Sequence, residues 1–202
     1  MRGLKTILIL FISVHCLAQG SDQLTSSRWI EEQLKIGDIS NSTDVDLRLF
    51  LGRGITNGGH VIRIARSNGR WEGMKYDYFL KMRKGLVTQK IKKTIETKLS
   101  SVDWESLWSH LIQLDILTLP DQDSIEHKLR KEVTTIRGEG YSILFINDGS
   151  SYDLIVKNEG KISKYSFYEP WTYYAHYPDV EEVRKYSQII ETLEKELAID
   201  FR

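Results

Sequence analysis

The sequence predicts an α+β fold, an antiparallel β-sheet meander with two to three helices packed on one face. Three observations carry this. Strand-like segments follow one another in runs joined by short turn signals. Helical periodicity is confined to the start, the middle and the end of the chain. Strands and helices do not alternate, which argues against a doubly wound parallel sheet, and a β-sandwich has no place for two good helices.

The chain opens on a different kind of segment. Arg2 and Lys5 give a basic start, Thr6 to Val14 is a short apolar run, and Cys16-Leu17-Ala18 places small residues before Gln19. That is the order of a cleavable export signal. The run is well short of the ~20 residues that a spanning helix needs. The expected organisation is therefore a signal peptide at 1–18, an N-terminal helix and polar linker at 19–44, and a single α+β domain at 45–202. A lipoprotein signal would be cut before Cys16, with a lipid then anchoring the domain to a membrane. Such a signal calls for small residues directly ahead of the Cys, and Val14-His15 stand there. Signal-peptidase cleavage near Ala18 is the preferred reading, with a periplasmic or secreted product.

Ser27 to Ile36 reads as a short helix, and Gly37 to Asp44 as a turn-rich linker. Asn41-Ser42-Thr43 fits the N-glycosylation acceptor pattern. Val45, Leu47, Leu49 and Leu51 alternate with Asp46 and Arg48, as in a half-buried strand. Gly52 to Gly59 is a turn, His60 to Arg66 the next strand, and Ser67-Asn68-Gly69 a tight hairpin signal. Met74, Tyr76, Tyr78 and Leu80 share one face of a third strand. Val87, Ile91, Ile95 and Leu99 fit a helix or a strand with polar gaps, and the strand is preferred.

Trp104, Leu107, Trp108, Leu111 and Ile112 mark one face of an amphipathic helix, with Ser100, Ser101 and Asp103 where an N-cap is wanted. A polar segment, Asp121 to Lys131, precedes a second run of strands at about 132–137, 141–146, 152–156 and 161–168. Their turns are Gly138-Glu139-Gly140, Asn147-Asp148-Gly149 and Asn158-Glu159-Gly160. A final helix starts around Pro178 and buries Val180, Val183, Ile190, Leu193 and Leu197.

Composition narrows the function. Lys plus Arg and Asp plus Glu number 28 each, and loss of Arg2 and Lys5 with the signal leaves two acidic residues in excess. A nucleic-acid-binding face would be basic, so nucleic acid is not an expected partner. The same balance argues against docking on anionic lipid. Cys16 is the only cysteine, so the domain must be held by its core rather than by disulfides.

No chemical motif is complete. Gly52, Gly54, Gly58 and Gly59 suggest a phosphate loop, but a strand follows where a helix N-terminus is required. Asp121, Asp123, Glu126 and His127 crowd one segment and could bind a metal or act as acid and base, yet they match no calcium loop and no zinc helix. Solvated loop charges are the plainer reading. His60 and His110 read as ordinary edge or surface residues. No Ser sits in a nucleophile elbow, and no cofactor is expected.

The richest feature is aromatic. Tyr165, Phe167, Tyr168, Trp171, Tyr173, Tyr174 and Tyr177 crowd the last strand and the loop after it, beside Glu169, His176 and Asp179. Trp171, Tyr173, Tyr174, His176 and Tyr177 are the candidate binding residues, since Tyr and Trp join a flat apolar face to a polar tip. The alternative is an inward plug under the final helix. The expected function is a non-enzymatic exported binding module whose partner is an envelope protein or a glycan. The rival is a small envelope hydrolase or metal-dependent enzyme built on the 121–127 segment.

Several features together resemble a loose group of exported bacterial proteins of unknown activity. They are the signal, Arg48 on a strand before Gly58-Gly59, Asp103-Trp104 and Leu107 running into Leu117-Thr118-Leu119-Pro120, the Asp148-Gly149 turn, and Tyr168-Glu169-Pro170 before a last helix. The resemblance implies a similar fold and carries no functional residue.

Overall fold

The computed structural model describes residues 20–39, 43–53, 57–84, 86–136 and 138–201. The export signal, Asn41-Ser42 of the glycosylation triplet and Gly54 of the glycine cluster lie outside the described residues. Thirteen elements follow in order, and they make the expected α+β architecture. Helix α1 (Gly20–Leu34) leads to strands β1 (Val45–Arg53), β2 (Gly58–Ser67), β3 (Arg70–Arg83) and β4 (Leu86–Leu99). Helix α2 (Trp104–Gln113) and a 3₁₀ turn (Gln122–Lys128) precede a small hairpin, β5 (Lys131–Thr135) and β6 (Gly138–Ser142). Strands β7 (Ser150–Asn158) and β8 (Lys161–Tyr168) then run into α3 (Pro170–His176) and α4 (Glu181–Leu197).

The main sheet is antiparallel throughout, in the order β4-β3-β2-β1-β7-β8. Two hairpins follow from turn chemistry. Asn68-Gly69 and Glu159-Gly160 each link strands by two residues with positive φ, the backbone twist that tight hairpins require. The two runs of strands meet where β1 pairs with β7, Leu49 opposite Leu154.

Alternation along the strands sends two sets of side chains to opposite faces. Leu47, Leu49 and Leu51 of β1 join Ile62, Ile64, Leu154, Val156, Tyr165 and Phe167 in the main core. The helices α2 and α4 cover it, through Leu107 and Leu111 on one and Val183, Tyr186, Ile190, Leu193 and Leu197 on the other. Asp103 caps α2 by accepting the Ser106 N–H at 3.1 Å. Gly73 lets the Trp104 ring lie against β3, since a Cβ there would fall 2.8 Å from its Cζ2.

The opposite face is covered as well. Ile30, Leu34 and Ile36 pack on Phe50, Val61, Tyr76, Tyr78 and Ile155. Asp46 and Arg48 point to this side, and both are fully buried. Arg48 donates to Asp46 through Nε at 2.9 Å and Nη2 at 3.1 Å. Its Nη1 reaches Glu31 at 2.6 Å and the Gly37 carbonyl at 2.9 Å. Arg63 adds a second guanidinium on Asp46 at 3.0 Å. Burial alone would lower the Arg48 pKa, but Asp46 and Glu31 more than reverse this and hold it above its ordinary value. Two cations and two anions thus pin α1 to the sheet.

Some elements differ from the sequence reading. The segment expected as a strand at 141–146 pairs only over 138–142, with β5, in a ribbon separate from the main sheet. Gly138, Glu139 and Gly140 therefore lie inside β6, and the connection falls at 136–137, of which 137 is outside the described residues. The loop expected after Tyr168 contains helix α3, started by Pro170 in its first turn. Consequently α4 begins at Glu181, with Pro178 and Asp179 in the turn ahead of it.

Candidate functional site

The aromatic segment is built around a locked corner. Glu169 takes a left-handed backbone conformation, φ 42°, as β8 ends and α3 begins. Its N–H donates to the Ser150 carbonyl at 2.9 Å, and its Oε1 accepts the Ser150 N–H at 2.5 Å. Thr172 Oγ1 donates to Oε2 at 3.3 Å, and the Tyr168 hydroxyl accepts the Gly149 N–H. These bonds fix the direction in which α3 leaves the sheet.

Each aromatic on α3 is then held differently. Trp171 sets its ring edge-on to buried Tyr152, centroids 5.4 Å apart, and donates from Nε1 to Glu191 at 3.1 Å. Tyr173 stacks on Tyr177 at 6.1 Å, and burial raises its pKa, a shift that Tyr177 reinforces. Trp171, Tyr173 and Tyr174 are half-buried and pack on the main core. His176 is also half-buried; it meets Tyr177 edge-on at 4.6 Å, and its Nε2 lies buried without a partner among the described residues. Tyr177 is buried, and its hydroxyl accepts the Leu144 N–H at 3.0 Å. Beside α3, the C-terminal end of α4 carries an open depression of about 520 Å³. Among the described residues it is lined by Glu191, Glu194 and Asp200, by Lys195, and by the apolar Ala198 and Ile199. Trp171 reaches it through its bond to Glu191.

Of the 121–127 residues, Asp121 and Gln122 are brought to the β8 edge, while Glu126 and His127 lie apart from them. Asp121 Oδ1 accepts the Ser166 N–H at 2.5 Å, and Gln122 Oε1 accepts the Tyr168 N–H at 2.7 Å. They blunt an otherwise open sheet edge. Burial raises the Asp121 pKa, and nearby Asp123 adds to it against the Ser166 bond. Glu126 pairs with Arg130 at 3.1 Å, while Asp123 and His127 are exposed. Among the described residues, no three His, Cys, Asp or Glu side chains converge as metal ligands. Of the glycines, Gly52 lies on β1 and Gly58 and Gly59 on β2, with Gly52 opposite Gly59.

Two polar clusters escaped the sequence reading. One is the Arg48–Asp46 network described above. The other joins His60 Nδ1 to Asp77, with Lys75 Nζ on the same carboxylate at 2.9 Å. Burial raises the Asp77 pKa, but Lys75 and His60 together bring it below the ordinary value. The β2–β3 register places His60 directly opposite Asp77, a signal visible only once the hairpin is aligned.

No protein-family model, curated protein or solved structure matches the chain. Among the described residues, no helix is long and apolar enough to cross a membrane.

Proposed function

We propose that the chain is an exported, non-enzymatic binding module of the periplasm or cell surface. Its partner is an envelope protein or a glycan, met on the α3 face by Trp171, Tyr173, Tyr174 and His176. The observation that supports this is the state of α3. Its aromatics are anchored by the core and by the Glu169 corner, yet Trp171, Tyr173, Tyr174 and His176 are only half-buried. Rigid aromatics of this kind give contact area at little entropic cost, for protein or sugar alike. The acidic depression beside Trp171 suits basic groups or hydroxyls on the partner.

The test is capture from envelope extract and a thermal-shift panel of oligosaccharides, with the parent chain and Trp171→Ala/Tyr174→Ala compared. Loss of a specific partner at unchanged circular dichroism supports the reading. A ligand that binds only the folded parent raises its melting temperature. If the double variant unfolds, or if capture survives it intact, α3 is a plug and not a contact surface.

A further inference from the structure

We infer that two copies of this chain pair through Tyr141–Phe145, antiparallel, about a two-fold axis at Ile143. The inference is independent of the α3 reading. It starts from a period-two stripe in which Tyr141, Ile143 and Phe145 are 64%, 57% and 81% exposed. Between them Leu144 turns inward onto the main core, and its N–H is fixed by the Tyr177 hydroxyl. The stripe is therefore one face of an extended chain held in place from behind.

Its backbone is open. β6 uses one edge for β5, and among the described residues the ribbon joins no other strand. Among the described residues, no backbone–backbone hydrogen bond involves residues 143–148. The residues Tyr-Ser-Ile-Leu-Phe-Ile have the β-branched and aromatic composition of a strand, and the strand lacks a partner. Apart from the Leu144 N–H, which Tyr177 takes, this leaves a row of N–H and C=O groups that is matched best by another extended peptide.

A second copy fits this edge on two further grounds. An axis at Ile143 sets Tyr141 opposite Phe145 of the other copy, twice, and Ile143 opposite itself. The three side chains stay on one face, and aromatic cross-strand pairs are favourable. Area agrees as well. Aromatic side chains cover ~150–250 Å² each. With two exposed aromatics, one isoleucine and the backbone edge from each copy, full coverage of the stripe reaches on the order of 1,000 Å², the lower bound for a specific interface. A formal net charge of zero leaves little long-range repulsion between copies.

The test uses the full chain with Cys16→Ser, so that an introduced thiol is the only one. Across the axis, Ile143→Cys places two cysteine Cα atoms within the ~4.4–6.8 Å spacing that a disulfide needs. Mild oxidation of Ile143→Cys should give a covalent dimer, whereas Ser109→Cys on exposed α2 should stay monomeric. Sedimentation equilibrium should show a concentration-dependent dimer, and Phe145→Lys should weaken it at least roughly tenfold at an unchanged melting temperature. Three results would overturn the inference. One is a chain that stays monomeric, with position 143 no more reactive than 109. Another is a dimer indifferent to Phe145→Lys. The third is an edge that takes a foreign strand and never its own copy.

Discussion

Replacing Arg48 by Met would remove a guanidinium that no solvent reaches while keeping most of its apolar stem. Four hydrogen bonds go with it, two to Asp46 and one each to Glu31 and the Gly37 carbonyl. Asp46, itself fully buried, is left among the described residues with Arg63 alone, whose side chain is 22% exposed and can share its charge with water. A contact ion pair at an effective dielectric of 20 is worth about 4 kcal/mol. Breaking one side of a buried pair costs ~3–5 kcal/mol, because the surviving charge stays in place without its partner. The expected loss is in that range, and for a domain of this size it lowers the melting temperature by on the order of 10 °C. Urea unfolding at neutral pH reads it directly, with an unchanged m-value showing that the denatured state is unaltered. The double variant Arg48→Met/Asp46→Leu should cost less than the sum of its single changes, since the two residues share one interaction. A loss below ~1 kcal/mol for Arg48→Met would refute the reasoning, for it would mean that water or Arg63 compensates Asp46 fully.

Two other outcomes follow from single positions. Asp153 keeps one carboxylate oxygen buried with no partner among the described residues, and burial raises its pKa against the bond from Ser166. A raised carboxyl favours folding when protonated and opposes it once pH climbs through the folded value. Asp153→Asn should therefore stabilise the protein near neutral pH by about 1 kcal/mol, the order of an unsatisfied buried acceptor. The gain should shrink on acidification through the carboxylate range, and a gain that is constant with pH in thermal melts would count against it. Gly73→Ala should destabilise by ~1–3 kcal/mol, because the new methyl meets the Trp104 ring and, at 3.1 Å, Leu99 Cβ, both backed by the core. Trp fluorescence during urea unfolding measures this, and an unchanged midpoint would show that α2 shifts freely.

The strands that alternate cleanly, and the Asn-Gly and Glu-Gly turns, were legible because local chemistry alone sets them. Asp103 was legible as a cap for the same reason. The role of Asp46 and Arg48 was not. On a strand they alternate with leucines and read as a solvent face, and only the return of α1 across the sheet buries them. Segment 141–146 misled in the opposite sense. Its composition is that of a strand, but Leu144 is claimed by Tyr177 and the main core, which keeps most of it out of the hairpin. Helix α3 was missed because Trp, Tyr and His are indifferent helix formers. The Glu169 corner and Pro170 start the helix, and they involve contacts with β7 that no local pattern displays. Placement of the Asp121 carboxylate on β8 likewise depends on tertiary approach and not on spacing.

The seam between β1 and β7 has a consequence for how the chain acquires its structure. Leu49 and Leu154 belong to opposite halves of the polypeptide, so a strand at the middle of the finished sheet has one flank bare until nearly all of the chain is available. Local hairpins can zip in microseconds, whereas this closure must wait for distant segments and overcome their loop entropy. In the interval the leucine face of β1 and its open edge are both exposed, which is the condition that invites aggregation. Delivery as an unfolded thread, followed by folding at the destination, would suit such a seam better than slow completion in a crowded compartment.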